Sequence, residues 1–209
     1  MSLTASESVL SRWAALGELS TALAQGVACL EAQALWGSSR ALVVSALVRD
    51  TGRPVLYLSP GTAERHRAAE DIRFFRDTLD SASVTVQEFP PAEPSSWQGR
   101  HRDHVAERAL VCHALLTGGA IVVVTTPAAL GAPILSPETF RARTFTLAVG
   151  ASLERERLLR ALETAGYERV DTVVEVGQWS LRGGIVDIFS ATHDRPVRAE
   201  FFGDEIESL

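Results

Sequence analysis

The sequence contains no lysine; all 20 of its basic residues are arginine. This excludes a phosphate-loop lysine, a Schiff-base lysine and a catalytic lysine base anywhere in the 209 residues. Cysteine is nearly as scarce. Cys29 and Cys112 lie far apart, so no disulfide framework is implied and a reducing compartment is expected. There is no long uninterrupted apolar run. The longest, Gly118 to Leu135, is broken by Pro127 and Pro133 and carries Thr125 and Thr126, which argues against a membrane span. Residues Met1 to Glu7 lack the basic and apolar regions of a signal peptide, so a cytoplasmic location is expected. Basic charge is not in excess either. A net charge of −6 and a pI of about 5.4 argue against a general nucleic-acid-binding surface.

What is present is an ordinary globular balance, 46% hydrophobic and 22% charged, in a chain long enough for one or two domains without disulfides or metal. The first 130 residues alternate helix and strand signals. Helices are expected over Ser6–Leu23, Ser38–Arg49, Thr62–Leu79 and His101–Leu116. In Thr62–Leu79, Ala63, Ile72 and Phe75 are the expected apolar positions. Strands are expected over Ala28–Trp36, Pro54–Leu58, Ser83–Phe89 and Ala120–Thr125, with a Pro/Ser-rich loop at Pro90–Gly99. Short apolar strands separated by helices predict an α/β domain with a parallel, doubly wound sheet over residues 1–130.

The pattern changes near Pro127, Gly131, Pro133 and Pro137, the expected boundary. Residues 131–209 read as a smaller α+β domain. Phe145–Val149 is an expected strand, and Ser152 an expected cap of a helix over Leu153–Ala165 that Gly166 ends. Leu158, Leu159 and Leu162 form its apolar face. Only strand signals follow. Gly183-Gly184 and Gly203-Asp204 mark two-residue hairpins of an antiparallel sheet over residues 168–209.

Three constellations invite a chemical reading. Gly37-Ser38-Ser39-Arg40 occupies the place of a phosphate loop, between an expected strand and helix. It lacks the second glycine, the lysine and the hydroxyl that follows it, so nucleotide binding is not expected there. His101, His104, Cys112 and His113 share one helix. His104 and Cys112 are too far apart for one metal ion, and His101 with His104 has no third ligand, so a solvated helix face is expected and no metal. No G-x-S-x-G elbow occurs and no carboxylate pair demands acid/base work, so no catalytic residue is assigned.

The third constellation is the meander. Alternation puts Trp179, Leu181, Val186, Ile188, Val197, Ala199 and Phe201 on one face. Gln178, Ser180, Arg182, Ile185, Asp187, Phe189, Arg198, Glu200 and Phe202 fall on the other. If the first face packs on the leucine helix, the second points outward and presents arginines beside Phe202, the composition of a protein-binding hot spot. From pattern alone it either docks a partner or lies under the other domain. The two-residue turn sets Arg182 opposite Ile185 and Ser180 opposite Asp187. A continuous apolar face then requires Asp187 opposite Arg198, so that Asp187 holds both guanidinium groups.

These residues also carry a family resemblance. Gly166-Tyr167-Glu168-Arg169-Val170-Asp171, Leu181-Arg182-Gly183-Gly184-Ile185-Val186-Asp187-Ile188-Phe189 and Arg198-Ala199-Glu200-Phe201-Phe202-Gly203-Asp204-Glu205 resemble the module shared by the excinuclease B subunit and the transcription-repair coupling factor. A looser match runs upstream through Gly52-Arg53-Pro54 and Glu88-Phe89-Pro90-Pro91. The resemblance implies a degenerate RecA/P-loop-like domain followed by a domain like the second domain of excinuclease B. Excinuclease B keeps a Walker A motif and a DNA-inserting hairpin in its first domain, and this chain has neither. The implied identity is therefore the N-terminal region of a coupling factor, a non-catalytic module without cofactor in nucleotide excision repair. The alternative is a nucleotide-binding, helicase-like domain of the excinuclease B type. The implied partner is excinuclease A (UvrA), contacted through Arg182, Arg198 and Phe202, with Asp187 and Glu205 in the same set. RNA polymerase and DNA would be bound by domains beyond Leu209.

Overall fold

A computed structural model describes residues 14–92 and 98–209, with the backbone only for 98–103. Contacts gather into two units, Met1–Ala92 with Val111–Ala132 and Glu93–Leu110 with Pro133–Leu209.

The first unit holds a three-stranded parallel sheet in the order β1-β3-β2, formed by β1 (Val55–Leu58), β2 (Thr85–Phe89) and β3 (Ile121–Thr125). The central strand β3 is buried along its whole length, which is why it reads as an unbroken apolar run. Its alternate side chains serve two helical layers. Val122 and Val124 pack with Ala41 and Val48 of α2 (Ser39–Thr51) and with Ala69 and Ile72 of α3 (Thr62–Thr78). Ile121 and Val123 pack with Val111 of α4 (Gln98–Thr117) and Ala129 of α5 (Pro127–Leu130). Helices thus cover both faces, as expected of an α/β sheet. On α3 the inward positions are Ala69 and Ile72, with Phe75 half-buried against the same core as expected, while Ala63, also expected as an apolar position, is exposed and Arg65 is buried. Arg65 reaches Glu88 of β2 (Nε–Oε2 3.2 Å), and His66 Nδ1 lies 2.6 Å from the same oxygen.

One expected strand of the first unit is not found. Ala28–Trp36 is not a strand. The segment is irregular and mostly exposed, with Trp36 at 84%. Ala34 takes φ +58, which breaks an extended backbone, and the run has no β-branched residue to favour one. The helix expected at Ser6–Leu23 appears as α1 (Ala14–Ala24); residues 6–13 lie outside the described residues. Of the expected Pro90–Gly99 loop, residues 93–97 also lie outside them, and Gln98 and Gly99 already belong to α4.

The second unit contains α6 (Pro137–Ala142), α7 (Arg155–Thr164) and a five-stranded sheet in chain order. Its strands are β4 (Glu168–Arg169), β5 (Gln178–Arg182), β6 (Ile185–Ile188), β7 (Val197–Phe202) and β8 (Glu205–Ser208). Leu158, Leu159 and Leu162 of α7 pack on Trp179, Val186, Ile188, Ala199 and Phe201 of the expected apolar face and on Ile206 of β8; Leu181 packs half-buried against this core, and Val197 is half-buried outside it. The sheet is mixed rather than purely antiparallel, because β4 pairs parallel to β5.

Phe145–Val149 is not a strand either. Backbone contact with β8 is made just beyond it, where Gly150 N donates to Ile206 O, Leu153 N to Asp204 O, and Ser152 bridges Glu205. Gly150, at φ +79, turns the chain so that only Leu147 of the segment packs on the core. Ser152 consequently does not cap the helix; Glu154 holds the N-cap position, without a side-chain hydrogen bond.

Candidate functional site

The outward face of the second sheet is organised by one carboxylate. The turn at Gly183-Gly184 pairs Arg182 with Ile185 and Ser180 with Asp187, and β7 sets Arg198 opposite Asp187. Asp187 therefore has an arginine directly across one strand interface and another diagonally across the other. Arg198 donates from Nε to Oδ1 at 2.7 Å and from Nη2 to Oδ2 at 3.1 Å, a bidentate pair. Arg182 donates from Nη2 to Oδ2 at 3.0 Å, and the Ser180 hydroxyl lies 3.5 Å from the same oxygen. The hydrogen bonds from Arg198 hold the Asp187 carboxyl below the usual carboxylate range; burial opposes them and Arg182 adds to them. Asp187 raises the Arg198 guanidinium in return.

The burial pattern follows from this arrangement. Asp187 is 8% exposed, while the arginine side chains that cover it remain more than half exposed. Each guanidinium keeps N–H groups that Asp187 does not use. Ser180 and Gln178, on the same face, are also buried. Gln178 Oε1 accepts from the amides of Val174 and Glu175, both at 2.9 Å. Pattern alone placed both on an outward face and gave no sign of this burial. The only available signal for Ser180 was its position opposite Asp187.

Phe202 follows Arg198 and Glu200 along β7 and is 75% exposed. Glu205 lies directly across the β7–β8 turn from it, on the same face. Ile185 and Phe189 are half-buried. The five residues singled out from the sequence thus form a clamped basic pair at Asp187 and an exposed aromatic flanked by carboxylates at the end of β7.

The other constellations are placed as follows. Gly37, at φ +55, and Ser38, whose side chain makes no cap hydrogen bond, lead into α2; Ser39 and Arg40 open that helix. No strand precedes them among the described residues. His104, Cys112 and His113 lie on α4, Cys112 packed beside Phe89 and Val111. No group of three metal-ligating side chains occurs among the described residues, and the side chain of His101 lies outside them.

Residues 145–209 match the UvrB interaction domain. This is the segment that carries the arginine pair and Phe202. Over a longer stretch the chain is similar to the transcription-repair-coupling factor of Bacillus subtilis, with 30% identity over 175 residues, 84% of this chain and 15% of that protein. The coupling factor of Myxococcus xanthus is 43% identical over 81 residues, 39% of this chain and 7% of that protein. UvrABC system protein B of Chlorobium limicola is 28% identical over 185 residues, 83% of this chain and 27% of that protein. The resemblance read from the sequence is the one these comparisons return, and the chain spans only a minor fraction of each relative. No helix among the described residues is long and apolar enough to cross a membrane.

Proposed function

We propose that this chain is a non-catalytic adaptor of the coupling-factor type. Residues 131–209 dock excinuclease A, and residues 1–130 form a nucleotide-free scaffold descended from a phosphate-loop fold. The observation that carries the proposal is the exposed pair Arg182 and Arg198, clamped on the buried Asp187 beside Phe202, within a segment similar to the UvrB interaction domain. Two arginines pre-oriented by a buried carboxylate suit bidentate recognition of acidic side chains, and an exposed aromatic suits an apolar pocket. In this reading the complex brings nucleotide excision repair to stalled transcription, with RNA polymerase and DNA engaged elsewhere in the longer protein.

The test is calorimetry with purified excinuclease A at one salt concentration. Arg182→Ala, Arg198→Ala or Phe202→Ala should each weaken binding by about 2 kcal/mol or more while the thermal melt still shows a folded chain. Arg198→Lys should recover only part of the loss, since a point charge lacks the guanidinium fork. Unchanged affinity in all three alanine variants would mean that the partner binds elsewhere. The competing reading, a nucleotide-hydrolysing domain of the excinuclease B type, is disfavoured by the missing lysine.

A further inference from the structure

A residue outside the outward face holds the turn that carries Arg182. Arg155, the first residue of α7, donates from Nη1 to the Gly183 carbonyl at 3.2 Å. Its Nε is buried without a partner, and its remaining contact is a 3.7 Å approach of Nη2 to Glu156. The bond to Gly183 is thus the best-formed interaction that this guanidinium makes.

That carbonyl is the soft point of the hairpin. A Gly-Gly pair accommodates both type I′ and type II′ turns, because glycine adopts positive φ at either central position. The two forms differ by a flip of the peptide between the central residues, whose oxygen is the Gly183 carbonyl. Gly183 has φ +61, whereas Gly184 is not in the positive-φ region, which is the II′ arrangement. Gly184 also lies against β7: its carbonyl accepts from Phe201 N at 2.8 Å. The neighbour on the other side of the turn is Arg182.

We propose that Arg155 is a positioning residue for the partner-binding surface, holding the Gly183 carbonyl so that the Gly-Gly turn stays in its II′ form and Arg182 keeps its aim. The inference rests on the reading of that surface given above. It assigns Arg155 no contact with the partner.

The test is a double-mutant cycle in which excinuclease A is titrated against Arg155→Ala, Arg182→Ala and the double variant, with thermal melts alongside. Arg155→Ala should weaken binding about fivefold, and Arg155→Lys, which retains a donor, should restore most of the loss. In the Arg182→Ala background, Arg155→Ala should change affinity by less than about twofold, because no Arg182 is left to aim. Equal losses in both backgrounds would overturn the inference, since general damage or a direct contact would act without Arg182. So would normal affinity for Arg155→Ala alongside a weakened Arg182→Ala, which leaves the surface reading standing. Normal affinity for Arg182→Ala would remove both. Should Arg155→Ala fail to fold, Arg155→Gln runs the same cycle. The amide shifts of Gly183 and Gly184 then report the turn directly: unmoved shifts in Arg155→Gln count against the inference.

Discussion

Asp187 lies nearly buried between two arginines whose side chains are largely solvated, and this asymmetry sets what the residue contributes. Its carboxyl is held below the usual range in the folded chain, so the unfolded chain binds its proton more readily. The contribution to stability is therefore fully present above the unfolded pKa and is lost as pH falls through the lower, folded value. Asp187→Asn should destabilise the chain by about 1 kcal/mol near neutrality, with solvent screening of both arginines limiting the effect. The difference in urea midpoint between wild type and variant should shrink as the pH is lowered through and below the usual carboxylate range. A difference that stays constant or grows on acidification would show that the pairing does not depend on the Asp187 charge. Removing the carboxylate also frees both guanidinium groups, so Asp187→Asn should weaken partner binding although Asp187 itself keeps little exposed surface.

At the scale of elements, the two glycines of the β5–β6 turn are constrained differently. A Cβ added at Gly184 would stand 2.7 Å from the Phe201 carbonyl oxygen, a backbone atom that cannot swing away. One added at Gly183 meets nothing within 4 Å but must take φ +61. Gly184→Ala should therefore cost about 2 kcal/mol or more and open the β6–β7 pairing. Gly183→Ala should cost about 1–3 kcal/mol, the strain of a side chain at the positive-φ first central position of a II′ turn. Urea denaturation checks both losses, and an unchanged midpoint for Gly184→Ala would contradict the close contact with Phe201. Leu159→Ala, on the face of α7 that closes the same core, should cost about 2–5 kcal/mol. Amide exchange should then quicken across the second sheet. The two segments that failed as strands belong to this scale as well. Ala28–Trp36 and Phe145–Val149 carry enough apolar side chains to suggest strands, but neither has a ladder partner among the described residues. A strand exists only with its neighbour.

At the scale of the whole molecule, a parallel sheet and a mixed sheet each enclose their own core. The turn before α2 has one glycine and no lysine, in a chain without lysine anywhere. Titration with magnesium-ATP at micromolar concentrations should give no saturable isotherm; a saturable one would favour the alternative, an excinuclease B type of function.

The parts legible in the sequence were the local ones. A two-residue glycine turn and a strict period of two fix which residues face each other across a hairpin. Arg182, Asp187 and Arg198 therefore stand where the alternation put them, and Leu158, Leu159 and Leu162 of α7 stand where helical spacing put them. By itself the sequence also determined the absence of any lysine chemistry. Tertiary structure alone decided which apolar segments found a strand partner, that Ser180 and Gln178 are buried on the outward face, and that Arg155 reaches the Gly183 carbonyl. These depend on groups far apart in the chain, 28 residues in the case of Arg155 and Gly183. No periodicity encodes such a meeting; it exists only once α7 has packed on the sheet and brought its first turn to the hairpin.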